Sequence, residues 1–298
     1  MYELIRAGAR TYYMDCPSKV GLVLLADKDV LLIDSGSDKT AAKKVLRHCQ
    51  ENGWTVSAIL CTHSHADHIG GCRTIQEKTG CPVYAAGLEA AFTRDPILEP
   101  AFLYGGCPPR ALRTKFLLAA ESDAAPFPDP LPGGMVPVPL PGHSFAMTGF
   151  RTPDDVVFLA DSLTGEATLD KYPIAYLYDV RAYLGTLDAV ERMQAALFVP
   201  SHAPAVQDIR PLVSVNRAKL MDNLRIVEAL CEQPRGFEEL LKAFFDRQAL
   251  CLDMTQYALA GSTIRSYLAY LEEAGALEAS FSENRLLWRT AAAGSTDR

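Results

Sequence analysis

Thr62-His63-Ser64-His65-Ala66-Asp67-His68-Ile69-Gly70-Gly71 gathers three of the chain's six histidines and one carboxylate into a single short stretch. The apolar run VSAILCTH (56–63) leads into it and has the length and composition of a buried strand, so the cluster begins where a strand ends. His63 and His65, two positions apart, project the same way if the backbone is still extended. Asp67 and His68 come where the chain turns, and Gly70-Gly71 permits close backbone packing. Imidazole suits zinc and other borderline divalent ions, and carboxylate suits harder ones. Ligand types at this density predict a metal site rather than a polar surface loop.

Around this stretch the first two thirds of the chain alternate strands and helices. VGLVLLA (20–26) and DVLLIDS (29–35) read as a hairpin joined by a polar turn at Asp27–Asp29. Residues 38–52 carry Ala41, Val45, Leu46 and Cys49 on one helical face, and Asn52-Gly53 stops the helix. CPVYAA (81–86), DDVVFLAD (154–161) and LFVPSH (197–202) are further strands, with a helix at about 179–195 before the last. Residues 94–142 hold eleven prolines, a density that excludes a long central strand or helix. An insertion is expected there, irregular apart from one short helix near 110–120, and long loops of this kind are often lids. From residue 211 the texture changes. MDNLRIVEALCE, FEELLKAFFDR and STIRSYLAYLEEAGAL are amphipathic helix patterns, and ALEASFSENRLLWRT reads as two short strands around Ser282-Glu283-Asn284. These are the parts of a winged helix-turn-helix, so the expected organisation is one unit over 1–210 and a second, mostly helical unit over 211–298.

Length and composition agree. The chain has 298 residues, a net charge of −7, 49% hydrophobic and 22% charged residues, which is ordinary globular composition. The acidic balance argues against a general nucleic-acid scaffold. No apolar run approaches the roughly 18 residues of a membrane span, and MYELIRAGARTYY lacks the marks of a signal peptide, so a cytoplasmic location is expected. Eight dispersed cysteines without a C-x-x-C pair read as free thiols in a reducing compartment.

The segment Thr62–Gly71 resembles the H-x-H-x-D-H signature of the metallo-β-lactamase-fold hydrolases. Further positions match in order and context: Asp34 in LLIDSGS, His143 in LPGHSFAMTG, Asp161 in VVFLADSL and His202 in FVPSHAP. Only His48, in the polar stretch RHCQENG, is left out, and it reads as a solvated surface residue. The resemblance, which extends over about 1–205 and is nearest to glyoxalase II-like members, implies an α+β fold, a four-layer αββα sandwich with two metals at the sheet edge. It implies that His63, His65 and His143 hold the first ion, that Asp67, His68 and His202 hold the second, and that Asp161 bridges them. Zinc is the first expectation for both ions, with iron or manganese as alternatives. Asp67 would also orient a metal-bound hydroxide. Asp34 would stand behind the ligands, accepting a histidine N–H, or else be a turn residue beside Ser35-Gly36.

The resemblance implies hydrolysis of an ester, thioester or lactone of a small molecule. Rival activities within it are a phosphodiesterase or endoribonuclease and a mononuclear-iron sulfur dioxygenase; a winged-helix regulator is a rival outside it. The bridging Asp161 argues against a dedicated β-lactamase, and His65 in place of glutamate argues against a flavodiiron reductase. The basic tail residues that glyoxalase II uses for glutathione are not recognisable. In Ser262–Leu271, the pattern of a recognition helix, Arg265 is the one basic residue and Glu272-Glu273 follow; residues 211–298 hold ten basic and twelve acidic residues. Duplex DNA binding is therefore not expected, RNA is left open, and the unit is read as a packing module, a homodimer contact or a wall of the substrate cleft. Tyr172, Tyr176 and Tyr178, soon after Asp161, either line a pocket or pack the insertion on the core.

Overall fold

The computed structural model describes residues 2–26 and 28–291. Asp27, in the expected hairpin turn, and 292–298, the end of the expected second unit, lie outside the described residues. The N-terminal half builds β1 (Glu3–Arg6), β2 (Thr11–Asp15), β3 (Val20–Leu24), β4 (Asp29–Ile33), α1 (Lys39–Glu51), β5 (Thr55–Leu60), α2 (Ala66–Ile69), α3 (Cys72–Thr79), β6 (Val83–Ala85), α4 (Gly87–Arg94), α5 (Leu98–Tyr104) and β7 (Ala124–Pro126). Its strands form one sheet in sequence order, antiparallel from β1 to β4 and parallel from β4 to β7. The next segment adds β8 (Val136–Pro139), β9 (Thr148–Arg151), β10 (Val156–Thr164), α6 (Glu166–Lys171), α7 (Val180–Arg192) and β11 (Leu197–His202). Here the sheet order is β11-β10-β9-β8, with β10 and β11 parallel.

Both sheets are apolar on both faces because both faces are covered. In β4, Leu31 and Ile33 face the second sheet, while Val30 and Leu32 face α1 and α3. In β10, Val156 and Phe158 face the first sheet and Val157 and Leu159 the helices behind. Two sheets packed face to face with helices outside make an αββα sandwich. Among the described residues, no helix is long and apolar enough to cross a membrane.

The proline-rich insertion is more ordered than its composition suggests. The helix expected near 110–120 is only a 3-10 turn, Arg110–Leu112. The helix proper is α5, in which Pro100 falls in the first turn, where the backbone N–H has no helical partner to lose. The strands β7 and β8 also lie within the insertion, each at the edge of its sheet, where proline costs no ladder hydrogen bond.

The change of texture at 211 marks the start of α8 (Arg210–Leu230), followed by α9 (Phe237–Arg247), α10 (Met254–Glu273) and the hairpin β12 (Leu277–Ser282)–β13 (Arg285–Thr290). One apolar core runs from Leu159 and Phe198 in the sheet through Leu187 of α7 and Leu224 of α8 to Phe244, Tyr267, Leu268 and Leu277. The helices thus share a core with the sandwich. Phe244→Ala should cost about 3–5 kcal/mol, the usual range for a buried phenylalanine, and shift the thermal unfolding of the whole chain. Circular dichroism and tryptophan fluorescence should report one lowered transition. Two separated transitions would show that the helical unit folds independently.

Candidate metal centre

The parallel strands β4, β5 and β11 end at one edge of the sandwich, the usual place for a site in such sheets. After β5 the chain bends at Thr62, and His65 is extended (φ −64°, ψ 143°) before α2 begins, so His63 and His65 come off the loop and Asp67 and His68 off the first turn of a helix. The glycines then let that turn sit against the β4–α1 loop: a Cβ on Gly70 would lie 2.3 Å from the Ser37 carbonyl oxygen, and one on Gly71 2.3 Å from that of Ser35. In β10 a bulge follows Phe158, and Ala160 takes a left-handed φ of 48°. Ala160 thereby stays on the helix-covered side with Leu159, and Asp161 is aimed at the cleft, a known use of bulges beside sites.

All seven residues singled out as ligands come together. They form two groups, His63, His65, His143 and Asp161, and Asp67, His68, Asp161 and His202, in each of which the candidate ligand atoms lie within 4.8 Å of one another. Asp161 is common to both, with Oδ1 3.0 Å from His68 Nε2 and Oδ2 3.1 Å from His202 Nε2 and 3.5 Å from His143 Nε2. Asp67 Oδ2 is 3.2 Å from His202 Nε2.

The hydrogen-bond partners fix each tautomer. The backbone carbonyls of Tyr176 and Pro17 can only accept, so His143 and His202 donate Nδ1–H to them, at 3.0 and 2.8 Å. His68 donates Nδ1–H to Asp34 Oδ2 at 2.8 Å, with the Ser18 hydroxyl 3.0 Å from its Nε2. The Thr62 hydroxyl donates to Asp34 and therefore accepts from His63 Nδ1–H. All four of these rings turn Nε2 inward. His65 is reversed, with Nε2 3.4 Å from Glu99 Oε1 and Nδ1 3.0 Å from His143 Nε2. The two facing nitrogens are close enough for one cation, a proton or a metal ion, to bridge them. His63 Nε2 and Asp161 Oδ1 are buried without a hydrogen-bond partner, a cost of about 1–3 kcal/mol each, more for a charged atom. Imidazole and carboxylate donors so arranged fit divalent transition ions.

The electrostatics divide the rings. Burial, and then neighbouring histidines, hold His63 well below its ordinary range, and burial holds His65 at about 4 and His143 at about 3, so these rings stay neutral, as ligation requires. Burial also lowers His68 and His202, but the carboxylates outweigh it: Asp161, Asp67 and Asp34 raise His68 well above its ordinary range, and Asp161 and Asp67 raise His202 to about 10, so a metal ion must displace a proton from each. Burial likewise opposes, and the charges of His68 and His202 overcome it, in keeping Asp67 and Asp161 ionised.

Asp34 stands behind the ligands. Its carboxylate accepts from Thr62 N (2.7 Å), the Thr62 hydroxyl (2.9 Å) and His68, and it holds a left-handed φ of 63°, a region aspartate tolerates better than most residues. His48 is not a solvated surface residue: it is half-buried, bonded through Nε2 to the Tyr2 carbonyl at 2.9 Å. The strand β1 brings that carbonyl to α1, a contact invisible in the polar local sequence.

Two glutamates escaped the sequence reading. Glu89 of α4 is fully buried and accepts four hydrogen bonds: from Ser64 N and Oγ (2.9 and 2.6 Å), and from Ser144 Oγ and Ala146 N (2.7 and 2.9 Å). It clamps the loop of His63 and His65 to that of His143. Glu99 of α5 is buried beside His65, and burial, then the charges of Glu89 and Asp67, raise its pKa to about 8. Each glutamate shares a helical face with buried apolar residues, Glu89 with Phe92 and Glu99 with Leu103, and that was the available signal.

A cavity of about 290 Å³ opens over the centre, walled by five of the ligands (His65, Asp67, His143, Asp161 and His202) and by Glu99, Phe116, Leu117, Thr164, Thr168, Tyr172, Ile174, Ala175, Tyr176 and Leu259, with no lysine or arginine among the described residues that line it. Both expected uses of the tyrosines occur. Tyr172 and Tyr176 line the cavity, while Tyr178 stacks on Phe145 (4.5 Å) and Phe102 (6.0 Å).

A family model described as the metallo-beta-lactamase superfamily matches residues 13–202. The chain belongs to that superfamily. It is similar to a probable metallo-hydrolase of Bacillus subtilis, YqgX, at 29% identity over 143 residues, covering 47% of this chain and 64% of that one. The match thus spans less than two thirds of the Bacillus protein. A hydroxyacylglutathione hydrolase of Rhodopseudomonas palustris is 28% identical over 199 residues, covering 59% of this chain and 69% of that one. In overall fold the chain is similar to a beta-lactamase domain protein from Burkholderia ambifaria (TM-score 0.74, 19% identity, 97% and 94% of the two chains). It is also similar to a metallo-beta-lactamase family protein of Thermus thermophilus (TM-score 0.70, 20% identity, 96% and 98%).

Two substitutions test the centre. Asp161→Asn removes a charge common to both groups; metal content by element analysis and turnover should fall together, by about tenfold or more, and His48→Ala should change neither. Glu89→Gln keeps the shape of the clamp but turns an amide NH₂ toward its donors. It should destabilise the chain by about 2–4 kcal/mol in denaturant titration, within the scale of hydrogen bonds to a charged group, and weaken metal binding by about 10–100-fold. Unchanged metal affinity would reduce Glu89 to a packing residue.

Proposed function

We propose that this chain hydrolyses an ester, thioester or lactone of a small molecule at a centre of two divalent ions. His63, His65 and His143 would hold one ion, Asp67, His68 and His202 the other, and Asp161 both; the imidazole-rich set favours zinc, with iron or manganese as alternatives. Bound there, such ions supply Lewis acidity and bring the pKa of a coordinated water down to about 7. Asp67 is the ligand carboxylate that water can reach, at 39% side-chain exposure against 10% for Asp161. It is placed to accept a hydrogen bond from an entering water and orient it toward a carbonyl carbon. Asp34, the Tyr176 carbonyl and the Pro17 carbonyl hold the rings in register, so the site needs little reorganisation when substrate arrives.

The observation that carries this reading is the cavity wall, which beyond the ligands combines Phe116, Leu117, Ile174, Ala175 and Leu259 with Thr164, Thr168, two tyrosines and Glu99 and, among the described residues, has no lysine or arginine. A phosphodiester or RNA backbone needs lysine or arginine against its phosphates, and glutathione carries carboxylates with the same need. The name of the Rhodopseudomonas relative supports acyl transfer to water, but nothing in this wall is suited to glutathione's charges. The helix with the recognition pattern, α10, is buried along Ala258, Ala260, Ile264, Tyr267 and Leu268; its exposed positions carry Arg265 against Glu272 and Glu273, too little positive charge for a DNA backbone.

Metal-loaded protein should turn over acyl thioesters and lactones with kcat/KM at least about 100-fold above a model phosphodiester, the scale on which one misplaced charge-stabilising group acts. Chelation should abolish both activities. A preference for the phosphodiester would overturn the reading in favour of the nuclease class.

A further inference from the structure

The helix α10 crosses from the C-terminal unit to the metal centre. Its Ala258 is buried in a small apolar cluster with Leu103, Leu112 and Leu117 of the insertion, and its Leu259 packs against that cluster and lines the cavity. The C-terminal helices also fasten the segment that forms the opposite wall. Asn223 Nδ2 of α8 donates to the Pro173 carbonyl at 2.8 Å, Thr263 Oγ1 accepts from Leu177 N at 3.2 Å, and Ser266 Oγ donates to the Tyr178 carbonyl at 2.9 Å. Between these anchors lies Tyr176, whose carbonyl fixes His143. At the rim Phe116 is 74% exposed, an apolar ring beside the cavity mouth that the rest of the described chain leaves uncovered.

Resting on the carbonyl-hydrolase reading, we propose that the group hydrolysed carries an uncharged, apolar acyl chain, and that Leu259 sets the length of chain accepted. The cavity is lined by the ligand residues His65, Asp67, His143, Asp161 and His202 together with Phe116, Leu117, Ile174 and Leu259, and the Tyr176 ring packs on His65 and His143 at 5.2 and 5.5 Å. An acyl chain whose carbonyl sits at the centre therefore extends along apolar surface. Beyond the ligand residues the wall offers Glu99 and, among the described residues, no lysine or arginine, so an anionic chain finds no counter-charge there. At about 290 Å³ the space is at the small end of ligand pockets, so chain length is limited by the side chain that faces the centre from α10.

The full-length, metal-loaded chain would be assayed on thioesters of acetyl, butanoyl, hexanoyl, octanoyl and decanoyl groups, with succinyl as the charged counterpart of butanoyl. The expected result is a kcat/KM that rises to an optimum and falls beyond it, with succinyl at least about tenfold below butanoyl. Leu259→Ala should move the optimum to longer chains and Leu259→Phe to shorter ones, each changing the ratio between neighbouring substrates by about tenfold, on the scale of a methylene in a hydrophobic pocket. Shifts in opposite directions cannot come from general loss of folding. Binding of the matching methyl ketones, followed by calorimetry, should show the same order and the same shifts. A flat profile, a preference for succinyl, or an optimum unmoved by both variants would overturn the proposal while leaving the hydrolase reading intact. If no thioester or lactone is cleaved, that reading fails instead; ketone affinities that do not rise with chain length would then overturn the acyl pocket as well.

Discussion

The constraint on which the rest of this structure depends is the convergence of five imidazole rings and two carboxylates in a buried space. Such groups do not gather unaided. Each ring is held by an acceptor on its far side, Asp34 for His68, Thr62 for His63, the Tyr176 and Pro17 carbonyls for His143 and His202, and Glu99 beside His65. These acceptors come from widely separated parts of the chain, so the centre exists only when the sandwich is assembled. The same dependence explains two left-handed non-glycine residues at the site, Asp34 and Ala160. Strain of this kind persists where surrounding structure over-determines it; here tight hydrogen bonds and a bulged ladder do so.

What was legible in the sequence follows from this division. A ligand set concentrated in one turn, Thr62 to Gly71, is visible because local spacing and local geometry coincide. Asp34 and His202 were legible because each ends an apolar strand, Asp161 because it follows the apolar run VVFLA, and His143 through the resemblance of its LPGHS turn. The groups that lock the ligands were harder. Glu89 and Glu99 lie on short helices, and the second lies among prolines that discouraged a helical reading. Their partners are 25 to 57 residues away for Glu89 and 34 for Glu99, and no local pattern encodes such pairing. His48 was misread for the same reason, its partner being the backbone of Tyr2, 46 residues earlier.

The insertion shows how composition misleads when position is unknown. Proline is expensive in the middle of a sheet and nearly free at its edge. The segment supplies one edge strand of each sheet, β7 and β8, so its proline content reflects where in the sheets it lies rather than irregularity. It also delivers α5, and with it Glu99, to the centre.

The C-terminal helices raise a different question: what a winged-helix-like set of parts does without basic charge. Their apolar faces are consumed inside the chain, in the core that continues from Leu159 to Leu277, and their polar side chains are spent on the segment from Pro173 to Tyr178. That segment holds His143 through one backbone carbonyl and lines the cavity with its side chains. The motif residues can therefore stay the same while the space above them is reshaped from outside the sandwich, by exchanging side chains on α10 and in the insertion. On the proposed reading, chemistry and selectivity are carried by different parts of the chain, joined through the Tyr176 carbonyl on His143 and Glu99 beside His65.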